Sequence, residues 1–318
     1  MIRNLFIIIL SFSLFTTSCI KEKDYFLPDG TLEFVGDVQA LKLELRPDPI
    51  NYSFEMPTEE TIIPFTEDFH LILQQGSLLD QNGEVYTGEV NALLRKANSP
   101  SEWAGWDFSL ITEDGFLDAI SSQKILFHSS ENNKLMVNED SPPVIRWVTL
   151  EEKDKVALFR FDQQDKKWKF FSAEVQFTER EMMVNNEPEM VAAYEFSLLD
   201  YGWYTIGVEL LKPQGSNLCM NHPEGFTKSN TTSFVIFENY NTVIMLNDWD
   251  EDNPYKNCNQ LLRLPINEDL KVASIAGISG NRYFFDLRSI NLNSSEIELE
   301  MDPKRLSFNQ ILNRLNAR

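Results

Sequence analysis

Histidine and cysteine are scarce, with three of each in 318 residues. His70, His128 and His222 stand far apart and no His-Glu-x-x-His occurs, so the sequence offers no zinc-peptidase ligand set. Three cysteines exclude a small disulfide scaffold. Basic residues are in deficit: 28 Lys and Arg face 49 Asp and Glu, a formal charge of −21. Such a surface repels phosphate backbones and anionic headgroups, which excludes nucleic acid as a partner. Long apolar runs are missing after the first twenty residues, so no transmembrane helix is expected. A Gly-x-Ser-x-Gly elbow, a phosphate-binding glycine loop and a dinucleotide glycine fingerprint are all lacking. What remains is ordinary globular composition, 42% hydrophobic and 12% aromatic, enough to bury one or two cores.

The first residues carry an address. Arg3 precedes an apolar run, Leu5 to Leu10, that continues through Phe12, Leu14 and Phe15. Thr16, Thr17 and Ser18 then lead into Cys19, the pattern of a secretory signal ending at a cysteine. Export would place Cys219 and Cys258 in an oxidising compartment, where the even remainder predicts a disulfide between them; two separate thiols are the alternative.

Beyond the leader the recurrent signal is strand and turn. Residues 31–45 alternate apolar and polar positions, with Leu41, Leu43 and Leu45 on one face, the period of a half-buried strand. Pro47, Pro49 and Pro57 make 46–60 a linker or an edge crossing. Further strands are predicted at 69–73, 84–94, 124–128, 156–161, 167–177, 190–198, 203–211, 232–238, 242–246, 271–276 and 282–287. Asn82-Gly83, Asp114-Gly115 and Ser279-Gly280-Asn281 punctuate them as turns. Only 305–316 has helical spacing, with Ser307 as its cap. The expectation is an all-β chain: a leader (1–18), a tether with one strand (19–60), two β-sandwich modules in tandem (61–185 and 186–318) and one short C-terminal helix.

Two local constellations could bind a ligand. In the loop Asp248-Trp249-Asp250-Glu251-Asp252-Asn253, the alternating Asp248, Asp250 and Asp252 could converge on a structural Ca²⁺, although the glycine and the terminal glutamate of a full calcium loop are missing. The other reading is a solvated acidic turn. Trp103 and Trp106, placed where a loop around Pro100 gives way to a strand, could form an indole platform for sugar rings; core packing is the alternative. No other cofactor and no catalytic residue is implied.

The passage into Cys19 resembles a bacterial lipoprotein signal, with Thr16 where that family usually has Leu; the resemblance implies cleavage before Cys19 and lipid on it. Lys21-Glu22-Lys23-Asp24 is similar to the charged segment that sends Bacteroidetes-type lipoproteins outward. The run Leu73 to Val90, with Asn82-Gly83 and Thr87-Gly88, followed by Thr112, Asp114, Gly115 and Val156 to Trp168, resembles a β-domain of such surface lipoproteins. Phe196 to Trp203, Phe234 to Leu246, Leu264-Pro265-Ile266-Asn267-Glu268 and Val272 to Phe285 are similar to transthyretin-like, carboxypeptidase-regulatory modules. The polar Asn-Cys-Asp that follows the tryptophan in relatives is replaced here by Tyr204-Thr205-Ile206. The resemblance implies a lipid-anchored cell-envelope protein of the outer membrane, at its periplasmic face or the cell surface. Its role would be non-catalytic: adhesion, scaffold or accessory subunit of an outer-membrane complex. A glycan-binding accessory lipoprotein taking a polysaccharide is the alternative, and a hydrolase would need carboxylates converging in a cleft.

Overall fold

The computed structural model describes residues 36–149, 152–172, 174–184, 187–211, 215–258, 264–265, 268–278 and 282–317. The leader, Cys19 and the Ser279-Gly280-Asn281 turn lie outside them. Residues 34–318 form one compact unit.

Its strands are β1 (Ile50–Glu55), β2 (Thr61–Thr66), β3 (Phe69–Leu73), β4 (Leu78–Leu79), β5 (Glu89–Ala97), β6 (Gly115–Ser129), β7 (Met136–Val137), β8 (Val144–Val148), β9 (Ala157–Asp162), β10 (Lys167–Ser172), β11 (Gln176–Val184), β12 (Glu187–Ser197) and β13 (Tyr204–Leu211). They continue as β14 (Gly215–Asn221), β15 (Thr231–Phe237), β16 (Val243–Leu246), β17 (Asp248–Trp249), β18 (Lys256–Cys258), β19 (Leu264–Pro265), β20 (Asp269–Ile278), β21 (Arg282–Asn291), β22 (Glu296–Glu300) and β23 (Lys304–Leu306). Three helices accompany them among the described residues: α1 (Val38–Leu45), α2 (Pro100–Trp106) and α3 (Phe308–Asn316). None is long and apolar enough to cross a membrane.

The strands build two sandwiches. In the first, a sheet ordered β1-β5-β6-β13-β9-β10 faces one ordered β11-β12-β8-β3-β2. Between them lie Phe69, Leu71, Val90, Leu94, Phe127, Trp147, Tyr194 and Ile206. In the second, the sheet β16-β15-β20-β21-β23 faces the sheet β17-β18-β14-β19, to which β22 adds a parallel strand against β14. Val235, Phe237, Val272, Leu218 and Met220 fill that interior. The period-2 alternation of strands then supplies a third core. Phe234, Ile236, Ala273 and Ile275, on the opposite face of the same strands, meet Leu117, Phe159, Trp168 and Trp203 of the first sandwich. Leu41 and Leu45 of α1, Trp103 of α2, and Ile311 and Leu315 of α3 are packed into this middle layer.

The all-β architecture with a short C-terminal helix is therefore present, and Ser307 caps α3 in a reciprocal capping box with Gln310. Three expectations need correction. Residues 38–45 are helical, not extended: Asp37 Oδ1 accepts from the Gln39 N–H at 2.8 Å, Leu41 and Leu45 are buried one turn apart, and Leu43 points to solvent. A Leu-x-Leu-x-Leu run satisfies a helix stripe through its first and last members as well as a strand face through all three. Residues 100–106 are also helical, because a proline at the first helical position starts a helix rather than breaking one. Finally, the boundary predicted at 185 falls at a position outside the described residues, but β11 and β12 on either side of it pair along their length, and β13 still belongs to the first sandwich, so no change of sandwich occurs there. The change of sandwich comes between Leu211 and Gly215.

A bulge in β6 organises the first sandwich. Ile206 pairs with Ser121 and Gly207 with Ala119, so Ile120 is an extra residue. One extra residue moves every later side chain to the other face. Thus Leu117 and Ala119 enter the middle core whereas Ile125 and Phe127, of the same parity, enter the first. Gly207 permits this approach, since a Cβ there would lie 2.7 Å from the Asp118 carbonyl oxygen. Gly207→Ala is expected to cost about 1–3 kcal/mol, read as a lower midpoint in chemical denaturation.

A second constraint is ionic. Arg146 on β8 is fully buried; its Nη1 donates to Glu195 Oε1 at 2.8 Å, and Arg180 Nε reaches the same carboxylate at 2.9 Å. Its Nη2 also donates to the Val191 carbonyl. Burial holds the Arg146 guanidinium below its ordinary pKa, with Glu195 opposing and Arg180 adding to that shift. Removing one partner leaves a buried charge alone. Glu195→Ala should cost about 3–5 kcal/mol, whereas the double change Arg146→Met with Glu195→Leu should cost far less; equilibrium denaturation of the three chains checks this.

Candidate functional site

Cys219 and Cys258 are direct cross-strand partners of β14 and β18 and are joined by a disulfide, with Cα atoms 4.1 Å apart. The bond closes a loop of 39 residues, worth about 3–4 kcal/mol through the unfolded chain.

Asp248, Asp250 and Asp252 are not drawn together. Asp250 Oδ1 instead accepts from the backbone N–H groups of Asp252 (2.8 Å) and Asn253 (3.2 Å), which folds the segment as an Asx turn leading to β18. No group of three His, Cys, Asp or Glu able to hold a metal occurs among the described residues. The indole platform also fails. Trp103 is 0% exposed and donates its indole N–H to Ser122 Oγ at 3.2 Å, so it faces the core from α2. Trp106, one turn on, is half-buried and packs against the edge of the same core, so the two rings do not form an exposed pair.

His70 and His222 are buried, whereas His128 on β6 is half-buried. His222 Nδ1 lies 3.1 Å from the Tyr255 carbonyl oxygen, Nε2 lies 3.0 Å from Ser274 Oγ, and the ring packs on Trp249. A carbonyl at Nδ1 requires the proton there, so Nε2 accepts from the serine. This is a serine–histidine contact, but Ser274 is fully buried, which keeps a substrate from its oxygen. His70 is buried on β3 opposite Arg146, with no hydrogen-bond partner at Nδ1.

One surface groove brings together residues that no sequence motif had joined. A groove of about 490 Å³ opens where the 200–203 segment meets β9 and β10, lined by Lys124, Arg160, Lys169, Phe170, Tyr201 and Trp203. Arg160 is held by Asp200 at 2.7 Å, and Lys169 by Asp162 at 2.7 Å and Asp165 at 2.5 Å. The Asp162 carboxyl falls to about 2 through the Lys169 hydrogen bond, then the backbone N–H groups of Asp165 and Gln164. Lys124 differs: among the described residues it has no carboxylate within ion-pair distance. Its cross-strand partner on β5 is Arg95, another cation.

Aromatic rings knit these cations together. The guanidinium carbon of Arg46 lies 4.4 Å, and that of Arg95 5.6 Å, from the Trp106 ring centre. Trp106 meets Trp203 at 4.8 Å, and Lys134 Nζ sits 4.7 Å from the centre of Tyr201. Burial lowers the Lys124 pKa, with Arg95 and Lys134 lowering it further. Burial likewise lowers Arg46, assisted by Arg95 and opposed by Asp107. Lys124 and Arg95 are 29 residues apart, and only the β5–β6 register makes them neighbours, so no local sequence signal could have paired them.

No protein-family model matches the chain, and no curated protein matches it. Among solved structures it is similar to the TIE protein of Bacillus anthracis, at 11% identity and a TM-score of 0.20, over 81% of this chain and 58% of that one. The chain thus spans little more than half the length of that protein, and a likeness at this level carries no inference.

Burial holds the His222 pKa below 6.5, against opposing effects of the Tyr255 carbonyl and Asp286. The unfolded chain therefore binds this proton first as pH falls. Stability from His222 is complete above about pH 6.5 and is lost as pH drops through the lower folded-state value. Thermal melts from pH 7.5 to 5 should show the decline, and His222→Gln should flatten it.

Proposed function

We propose that the protein is a non-catalytic, lipid-anchored protein of the cell envelope that serves as an adhesion, scaffold or accessory subunit of an outer-membrane complex. The observation that carries this reading is the leader: Arg3, the apolar run to Phe15, and small residues opening onto Cys19. Two or three acyl chains on that cysteine, at about 0.8 kcal/mol per buried CH₂, would hold the protein on a bilayer without a membrane-spanning helix. The Cys219–Cys258 disulfide supports the same address, because such bonds persist in oxidising compartments. Two sandwiches stacked through a shared core favour a rigid display surface over a flexible tether. The charge of −21 argues against direct adsorption to anionic headgroups and leaves the lipid as the means of attachment.

Metabolic labelling of the full chain with an alkyne fatty acid tests the anchor. Label on the parent chain and none on Cys19→Ala is the expected result, and an unlabelled parent would overturn it. A pull-down from detergent-solubilised outer membranes tests the role. A stoichiometric membrane protein that is lost with Cys19→Ala supports the accessory reading. A lipidated protein that brings down nothing refutes it.

A further inference from the structure

We propose that the groove between Lys124 and Phe170 binds an oligosaccharide bearing a carboxylate, a uronic-acid glycan, with Lys124 receiving the acid group and the aromatic wall receiving the sugar ring. This goes beyond the anchoring role and does not depend on Cys19.

The charge arrangement comes first. Like charges directly opposite each other on neighbouring strands are destabilising, yet Arg95 faces Lys124 across β5 and β6, with Lys134 adding a third positive charge to the field at Lys124. In a chain with 49 acidic residues a carboxylate would be easy to supply. In the same groove Arg160 has one such partner and Lys169 has two, so among the described residues Lys124 is the lining cation left without a carboxylate, and it is the place for an external anion. Violations of a local pairing rule concentrate at functional sites.

The shape and chemistry of the groove narrow the ligand. Phe170 is 63% exposed on the edge strand β10 and the half-buried Tyr201 lines the same groove, giving aromatic surface of the kind on which the C–H face of a sugar ring packs, with the buried Trp203 forming the floor behind them. Arg160 and Lys169 are fixed by their own carboxylates, one on Arg160 and two on Lys169, so they present donors for hydroxyl groups and leave the acid group to Lys124. A volume of about 490 Å³ suits a small ligand or a short oligomer segment.

Isothermal titration of the full chain in non-ionic detergent, at low salt, with trigalacturonic acid, galactotriose and sodium sulfate tests the assignment. Trigalacturonic acid should bind at least about tenfold more tightly than galactotriose, the loss expected for one charge-assisted contact. Lys124→Gln and Phe170→Ala should each weaken it by a similar factor, while Lys124→Arg should stay within a few-fold of the parent. In the absence of sugar, Lys124→Gln should melt no lower than the parent, because it relieves the repulsion from Arg95. Equal binding of the neutral sugar, displacement by sulfate at matching concentration, or undiminished binding by Lys124→Gln would each overturn the proposal. Cys19→Ala should bind with parental affinity, so failure of anchoring and failure of this site are read separately.

Discussion

Strand β6 is the constraint on which the rest of the fold depends. Its fifteen residues reach all three cores: Phe116 enters the second sandwich, Leu117 and Ala119 the middle layer, Ile125 and Phe127 the first sandwich. Its early half also bonds to the turn before β16. Asn241 N–H donates to Asp118 Oδ1 at 2.8 Å, Asn241 Nδ2 to the Ala119 carbonyl at 2.5 Å, and Thr242 Oγ1 to the Leu117 carbonyl at 2.6 Å. The strand that centres one sandwich is therefore the strand that fastens it to the other. The extra residue at Ile120 makes the dual service possible, since without the change of face one of the two cores would lose its contribution from β6.

The middle core explains why helices occur in a chain that otherwise reads as strands. Two flat sheets could meet directly, but here the facing strands carry small or distant side chains such as Ala119 and Ala273, and helices fill the space. Helices α1 and α2 approach so closely that a Cβ on Gly105 would come within 2.9 Å of the Leu45 and Arg46 backbone. The contact is closed by Lys42 on Asp107 at 2.7 Å and by Arg46 Nε on the Gly105 carbonyl at 2.7 Å. This docking carries Arg46 to the Trp106 ring, so core packing also sets one end of the cationic strip.

What was legible in the sequence follows from the range of each signal. The strands 69–73, 203–211, 232–238 and 242–246 were read nearly to the residue, because alternation and turn residues are local facts. The disulfide was accessible by parity of cysteines, and the C-terminal helix through its apolar spacing and Ser307. The helices at 38–45 and 100–106 were misread because eight or fewer residues barely separate a period of 3.6 from one of 2, and their helicity comes from burial of Leu41, Leu45 and Trp103 in a core assembled from remote strands. The sandwich boundary was misplaced by about thirty residues for a related reason: β11–β12 is a hairpin, but the sheet it joins is decided by pairing with β8.

The groove beside Lys124 was hidden for the same reason of range. Trp103 and Trp106 look like one motif in sequence, yet three helical positions separate a core indole from one flanked by two guanidinium groups. Lys124 looks like an ordinary strand lysine, and becomes unusual only when register sets it opposite Arg95 and the 200–203 segment brings Tyr201 and Trp203 alongside. An aromatic pair close in sequence was thus a weaker guide than a pair of like charges distant in sequence. The first can be explained by packing alone. The second works against stability, and with no carboxylate of the described residues paired to Lys124 it marks the place where the proposed anionic ligand would supply the balance.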